Sequence, residues 1–195
     1  MAFLIGFAPA AVRRGRWCNS ARFLLVLACL LCSCSAGFAQ GGPSPEYQIK
    51  AVFLFNLAQF VEWPPRAFPD PGAPLTIGVL GDDPFGGYLD ETLRGERVNN
   101  RPLVLQRYRR TADVRTCQVL FISRSEDDHL EQIFATLRGR TTLTVGDSDG
   151  FIARGGMIRL VTERNKIRIR VNPEAVKSAN LTLSSKLLRL AQPEH

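Results

Sequence analysis

The stretch that decides the fold runs from Tyr47 to Pro65, YQIKAVFLFNLAQFVEWPP. Wound as a helix at about 100° per residue, it gives no single apolar stripe. Ile49, Val52, Phe53, Asn56, Leu57 and Phe60 share one side, and Ala51, Leu54, Phe55, Ala58 and Val61 share the other. Polar residues fall on two seams, Glu46 and Lys50 on one, Gln48, Gln59 and Glu62 on the other. A helix apolar on two sides is covered on two sides. It is expected to lie on a sheet with one face and to meet a further element, or another chain, with the second.

The residues that follow supply the sheet. Leu75–Leu80 (LTIGVL), Arg101–Tyr108 (RPLVLQRY), Gln118–Ser123 (QVLFIS) and Thr141–Val145 (TTLTV) have strand length and apolar centres. Between them, a helix is expected from Pro84 to about Arg94, capped by Asp82 or Asp83, and another over Ser125–Arg138. In the second, Leu130, Ile133, Phe134 and Leu137 fall at i, i+3, i+4 and i+7. Strand and helix in alternation predict a parallel sheet with right-handed crossovers. The pattern then changes. Met157–Val161 and Lys166–Val171 are separated by a short bend at Glu163-Arg164-Asn165, which predicts a hairpin. Short helices follow at Pro173–Ala179 and Ser185–Ala191, the latter capped by Ser184. The expected class is α/β: a mostly parallel sheet with helices on both faces, ending in an antiparallel hairpin.

Arg13, Arg14, Arg16 and Arg22, the apolar run Phe23–Cys32 and the small residues before Ala39 have the order of a secretory signal. Residues 1–39 are therefore expected to be cleaved, leaving one α/β domain over 40–195 outside the cytoplasm. A lipid anchor at Cys34 is the disfavoured alternative. Four arginines and no acids leave with this segment, so the net charge of +7 falls to +3, a weak basis for nucleic-acid binding. Of five cysteines only Cys117 remains, so no internal disulfide can form. Cys117 is expected to act as a small buried hydrophobe.

The sequence carries little chemistry. Gly81-Asp82-Asp83-Pro84-Phe85-Gly86 sits where α/β folds bind phosphate, but it lacks a GxGxxG or P-loop pattern. Asp147-Ser148-Asp149-Gly150 lacks the terminal carboxylate of a calcium loop, because Ile158 stands there. No metal spacing, no nucleophile–base pair and no cofactor motif is present, so no enzyme activity and no cofactor are expected. Arg168 and Arg170, joined by Arg159 across the hairpin, form a candidate patch for an anion or an acidic partner. Charges there also protect a sheet edge from aggregation. Asn56 is expected to hydrogen-bond to backbone within the core.

Several of these stretches together resemble the YfiR-like family. They are Tyr47–Asn56 continuing to Phe60-Val61-Glu62-Trp63-Pro64, Ile77–Gly86, Cys117–Ser123, Gly155-Gly156-Met157-Ile158 and Leu183–Leu188. The resemblance spans nearly all of residues 46–191, in order. It implies a secreted, non-catalytic α/β domain that represses a membrane-anchored diguanylate cyclase, lowering cyclic-di-GMP and biofilm formation, and that forms a homodimer. The family's redox-active disulfides have no counterpart in this chain. A predominantly apolar contact with the partner's outer domain is expected through Leu54, Phe55, Val61 and Trp63. The alternative is a periplasmic small-ligand sensor with Asp82, Asp83 and Ser123 lining its site at the strand ends.

Overall fold

A computed structural model describes residues 43–192, so the expected signal segment and its cysteines lie outside the described part. The strands are β1 (Val61–Glu62), β2 (Leu75–Leu80), β3 (Arg97–Val98), β4 (Arg101–Tyr108), β5 (Val119–Ile122), β6 (Leu143–Gly146), β7 (Ile158–Glu163), β8 (Lys166–Val171), β9 (Thr182–Leu183) and β10 (Ala191–Gln192). The helices are α1 (Pro45–Phe60), α2 (Gly87–Leu93), α3 (Leu130–Leu137), α4 (Pro173–Ser178) and α5 (Ser185–Leu190). Eight strands form one sheet in the order β10-β8-β7-β6-β5-β2-β4-β3, and β1 pairs with β9 separately.

β4, β2, β5, β6 and β7 run parallel, as the strand–helix alternation requires. β7 and β8 are the expected antiparallel hairpin, closed by Arg164 and Asn165 at φ 48° and 60°. Asn99 and Asn100, at φ 50° and 65°, close a second, unexpected one between β3 and β4. Asparagine tolerates the left-handed conformation that such two-residue turns need.

Each central strand is buried on both faces, which gives two cores. Ile77, Val79, Val119, Phe121, Leu143 and Val145 face α1 and α2, in a core that also takes in Val176 of α4 and Leu187 of α5. Leu80, Leu120 and Ile122 face α3, packing with Leu130, Ile133, Leu137 and Phe151. Helices thus cover both faces. Gly146 and Gly156 give Phe151 its room, because a Cβ at either would stand 2.4 or 2.2 Å from its ring.

Four local expectations change. The first helix ends at Phe60, and Val61-Glu62 leave it as a strand paired with Leu183 and Thr182. Pro64 forces extended backbone on its predecessor, and the chain straightens ahead of it. α2 begins at Gly87 rather than Pro84, because the Asp83 carboxylate accepts the Phe85 N–H at 2.7 Å and turns the chain first. A 3-10 segment, Arg124–His129, precedes α3 and takes up the start of the expected long helix. β8 is not the sheet's edge, because β10 runs parallel beside it.

Candidate functional site

The most unusual side chain of α1 is Lys50, assigned by its helical position to a polar seam but fully buried. Asp147 follows β6 directly and is buried as well. The two meet at 2.5 Å, and Glu46, one turn before Lys50, reaches the same ammonium at 2.5 Å. Tyr47 donates its hydroxyl to Asp147 at 2.9 Å, and its ring lies 4.6 Å from the Lys50 Nζ. Arg124, just past β5, adds a bond from Nε to the Asp147 carboxylate at 3.2 Å and one from Nη2 to its carbonyl at 3.3 Å. Thr162 at the far end of β7 donates to Glu46 at 2.8 Å.

A buried ion pair needs further hydrogen bonds to offset its desolvation, and here Glu46, Tyr47 and Arg124 supply them. The Lys50 hydrogen bond, with that from Thr162, holds the Glu46 carboxyl below its ordinary value of 4.5. Burial and the Asp147 charge push the Tyr47 phenol up, so it stays a donor. The cluster lies at the carboxyl ends of β5 and β6, where open α/β sheets usually bind ligands. In this chain the protein's own side chains occupy that position and pin α1 to the sheet. It is an ionic clamp: Lys50 and Asp147 are buried at its centre, and Glu46 and Arg124 stand partly open at its rim.

The residues expected to line a ligand site follow the adjoining strands β2 and β5, where the Ser123 N–H donates to the Leu80 carbonyl at 3.0 Å and the Asp82 N–H to the Ser125 hydroxyl at 2.9 Å. Asp82 is exposed. Asp83 is engaged by the Phe85 N–H and by Arg107 Nε at 2.7 Å, and Arg107 also bridges to Asp90 at 2.5 Å. Ser123 is buried ahead of the 3-10 segment without a side-chain capping bond. Two of the four residues expected to make an apolar contact are not at the surface. Leu54 and Val61 are 0% and 2% exposed, because they lie in the α1 core rather than on its outer side. Phe55 and Trp63 are half-buried, and the Trp63 indole N–H donates to the Ala58 carbonyl at 3.2 Å. The side of α1 open to solvent carries Ile49 and Val52, at 47% and 41%. Asn56 is half-buried on that same helix rather than bonded in the core, so water can satisfy its amide.

In the hairpin, Arg159 stands opposite Arg170, as expected, and Arg168 is exposed opposite Val161. Carboxylates share the patch: Asp149 pairs with Arg159, and Glu163 with Arg170 at 2.8 Å. Cys117 is buried, and that burial pushes its thiol up to about 12. Among the described residues no group of three or more His, Cys, Asp or Glu is placed to hold a metal ion. No helix there is long and apolar enough to cross a membrane.

Fold and site together define an α/β domain, built on an eight-stranded sheet, whose first helix is ionically clamped to that sheet. The chain belongs to the YfiR/HmsC-like family, whose sequence profile matches residues 47–192. Among solved structures it is similar to a conserved domain protein from Vibrio cholerae O1 biovar El Tor str. N16961, at 12% identity and a TM-score of 0.51, over 75% of this chain and 59% of that one. It is also similar to the ABC domain from Streptococcus pneumoniae in complex with L-Trp, at 8% identity and a TM-score of 0.50, over 76% and 60%. Such identities show the fold alone, and the chain spans about three-fifths of the length of each structure. No curated protein matches it significantly.

Proposed function

We propose that the protein is a non-enzymatic regulator, exported to the periplasm, that binds the outer domain of a membrane-anchored signalling protein and holds it inactive. The partner class is a diguanylate cyclase, so the regulator lowers cyclic-di-GMP and biofilm formation. Family membership across residues 47–192 carries this reading. The contact is placed on the open side of α1, where Ile49 and Val52 are large apolar residues left at the surface. Phe55 and Trp63 extend it, and a second copy of the chain meets the same surface in a homodimer. The role uses no cofactor. Deleting the gene tests the function: cellular cyclic-di-GMP rises, and it falls again on complementation with the full gene but not with one lacking residues 1–39. An unchanged level in the deletion strain sinks the proposal.

A second reading is a small-ligand sensor. It is favoured by an open cleft of about 580 Å³ at the amino edge of the sheet, lined by Trp63, Phe68, Leu75, Val98 and Arg101. The Arg101 guanidinium lies 3.8 Å from the Phe68 ring centroid, a ready stacking platform. A thermal-shift screen with nucleotides, flavins and amino acids decides it, and no stabilisation by any of them counts against a sensor.

A further inference from the structure

We infer that a second cleft on the amino edge of the sheet is an oxyanion site, built to hold a phosphate or diphosphate group. This goes beyond the regulatory role and does not depend on it. The cleft measures about 380 Å³ and lies where three loops meet, ahead of β5, ahead of β6 and at the Pro65–Ala67 turn. Each loop contributes one arginine, Arg115, Arg140 and Arg66 in turn, and the lining residues include no carboxylate. Thr116 and Thr141 add hydroxyls.

Buried polar bonds hold the loops in register. The Gln118 side chain, 1% exposed, donates to the Ala67 carbonyl at 2.5 Å and accepts the Thr76 N–H at 2.8 Å. That fixes the turn bearing Arg66 beside the start of β5. Thr142 donates to the Cys117 carbonyl at 2.7 Å, and Arg140 Nη1 donates to the Val114 carbonyl, which ties the third loop to the second. Arg66 and Arg115 are exposed and make no hydrogen bond or ion pair among the described residues. Asp113, two residues before Arg115 and within reach of its charge, is already held by Arg110 at 2.9 Å. Two exposed guanidinium groups and that of Arg140 thus give the cleft a net positive lining, which an anion neutralises. The guanidinium fork matches phosphate oxygens in pairs, and the cleft is large enough for such a group.

The same chemistry is offered by a soluble phosphate ester and by an anionic lipid headgroup, and two arms of one experiment separate them. The exported chain is titrated with pyrophosphate by calorimetry. It is also sedimented with vesicles of phosphatidylcholine alone or with phosphatidylglycerol. Both arms are repeated with the Arg66→Ala/Arg115→Ala double variant, whose substitutions lie at exposed positions and leave the Gln118 and Arg140 bonds in place. Binding to pyrophosphate that weakens about a hundredfold in the variant identifies a soluble ligand. Binding only to phosphatidylglycerol vesicles, lost in the variant, identifies a headgroup. Binding in neither arm, or binding that the variant retains, overturns the inference.

Discussion

Replacing Lys50 with methionine keeps an unbranched side chain one atom shorter and removes the charge, leaving Asp147 buried without its closest partner at 2.5 Å. Breaking a buried ion pair from one side costs about 3–5 kcal/mol. Asp147 retains the Tyr47 hydroxyl at 2.9 Å and Arg124 at 3.2 Å, so the low end applies, about 3 kcal/mol. For a domain of this size that lowers the melting temperature by about 6–12 °C. Urea unfolding followed by Trp63 emission measures it, with a lower midpoint at unchanged slope. Asp147→Asn completes a double-mutant cycle, because with no lysine left to neutralise, a neutral amide at 147 costs little more. The two losses should therefore fall short of additivity by more than about 1 kcal/mol. A Lys50→Met variant within about 1 kcal/mol of the parent, or an additive cycle, would refute the clamp.

Three further outcomes follow from the same packing. Gly156→Ala places a Cβ 2.2 Å from the Phe151 ring and 2.8 Å from its carbonyl oxygen, and should lower stability by about 2–3 kcal/mol in calorimetry, whereas a neutral result means Phe151 is not held there. Glu46 and Asp90 have folded values held below the ordinary 4.5 and 3.8, Glu46 by Lys50 and Asp90 by Arg107. Their stabilisation is present above those ordinary values and is lost as pH falls through the lower folded ones. The urea midpoint should thus drop below about pH 4, less steeply in Glu46→Gln, and an identical acid profile in that variant contradicts the Lys50 bond. The thiol of Cys117 should resist a thiol reagent at about pH 8 in the native exported chain and react after denaturation, so prompt native labelling would contradict its burial.

Much of the architecture could be read from strand-length apolar runs separated by helical periods, since β2, β4, β5 and β6 each lie within a residue or two of the expected bounds. The two-residue pairings were not legible, because Val61-Glu62, Thr182-Leu183 and Ala191-Gln192 become strands only through a tertiary neighbour. The apolar sides of α1 were legible, but which side meets solvent was not. Leu54 and Val52 have much the same hydropathy, and only the placement of the sheet and α2 buries one and exposes the other. The clamp was missed because Lys50 looks like a surface residue until Asp147, nearly a hundred positions on, is brought to it. Two signals existed: a lone lysine among apolar helical neighbours, and a carboxylate directly after a buried strand.

The regulatory contact on α1 is tested most directly by measuring cellular cyclic-di-GMP in a deletion strain complemented with the Ile49→Glu/Val52→Glu double variant. The two positions are 47% and 41% exposed, so the variant should fold and be exported as the parent is. Cyclic-di-GMP is expected to be as high as in the deletion strain, despite a normal periplasmic level of the variant protein. Full repression by that variant would contradict a contact on this side of α1.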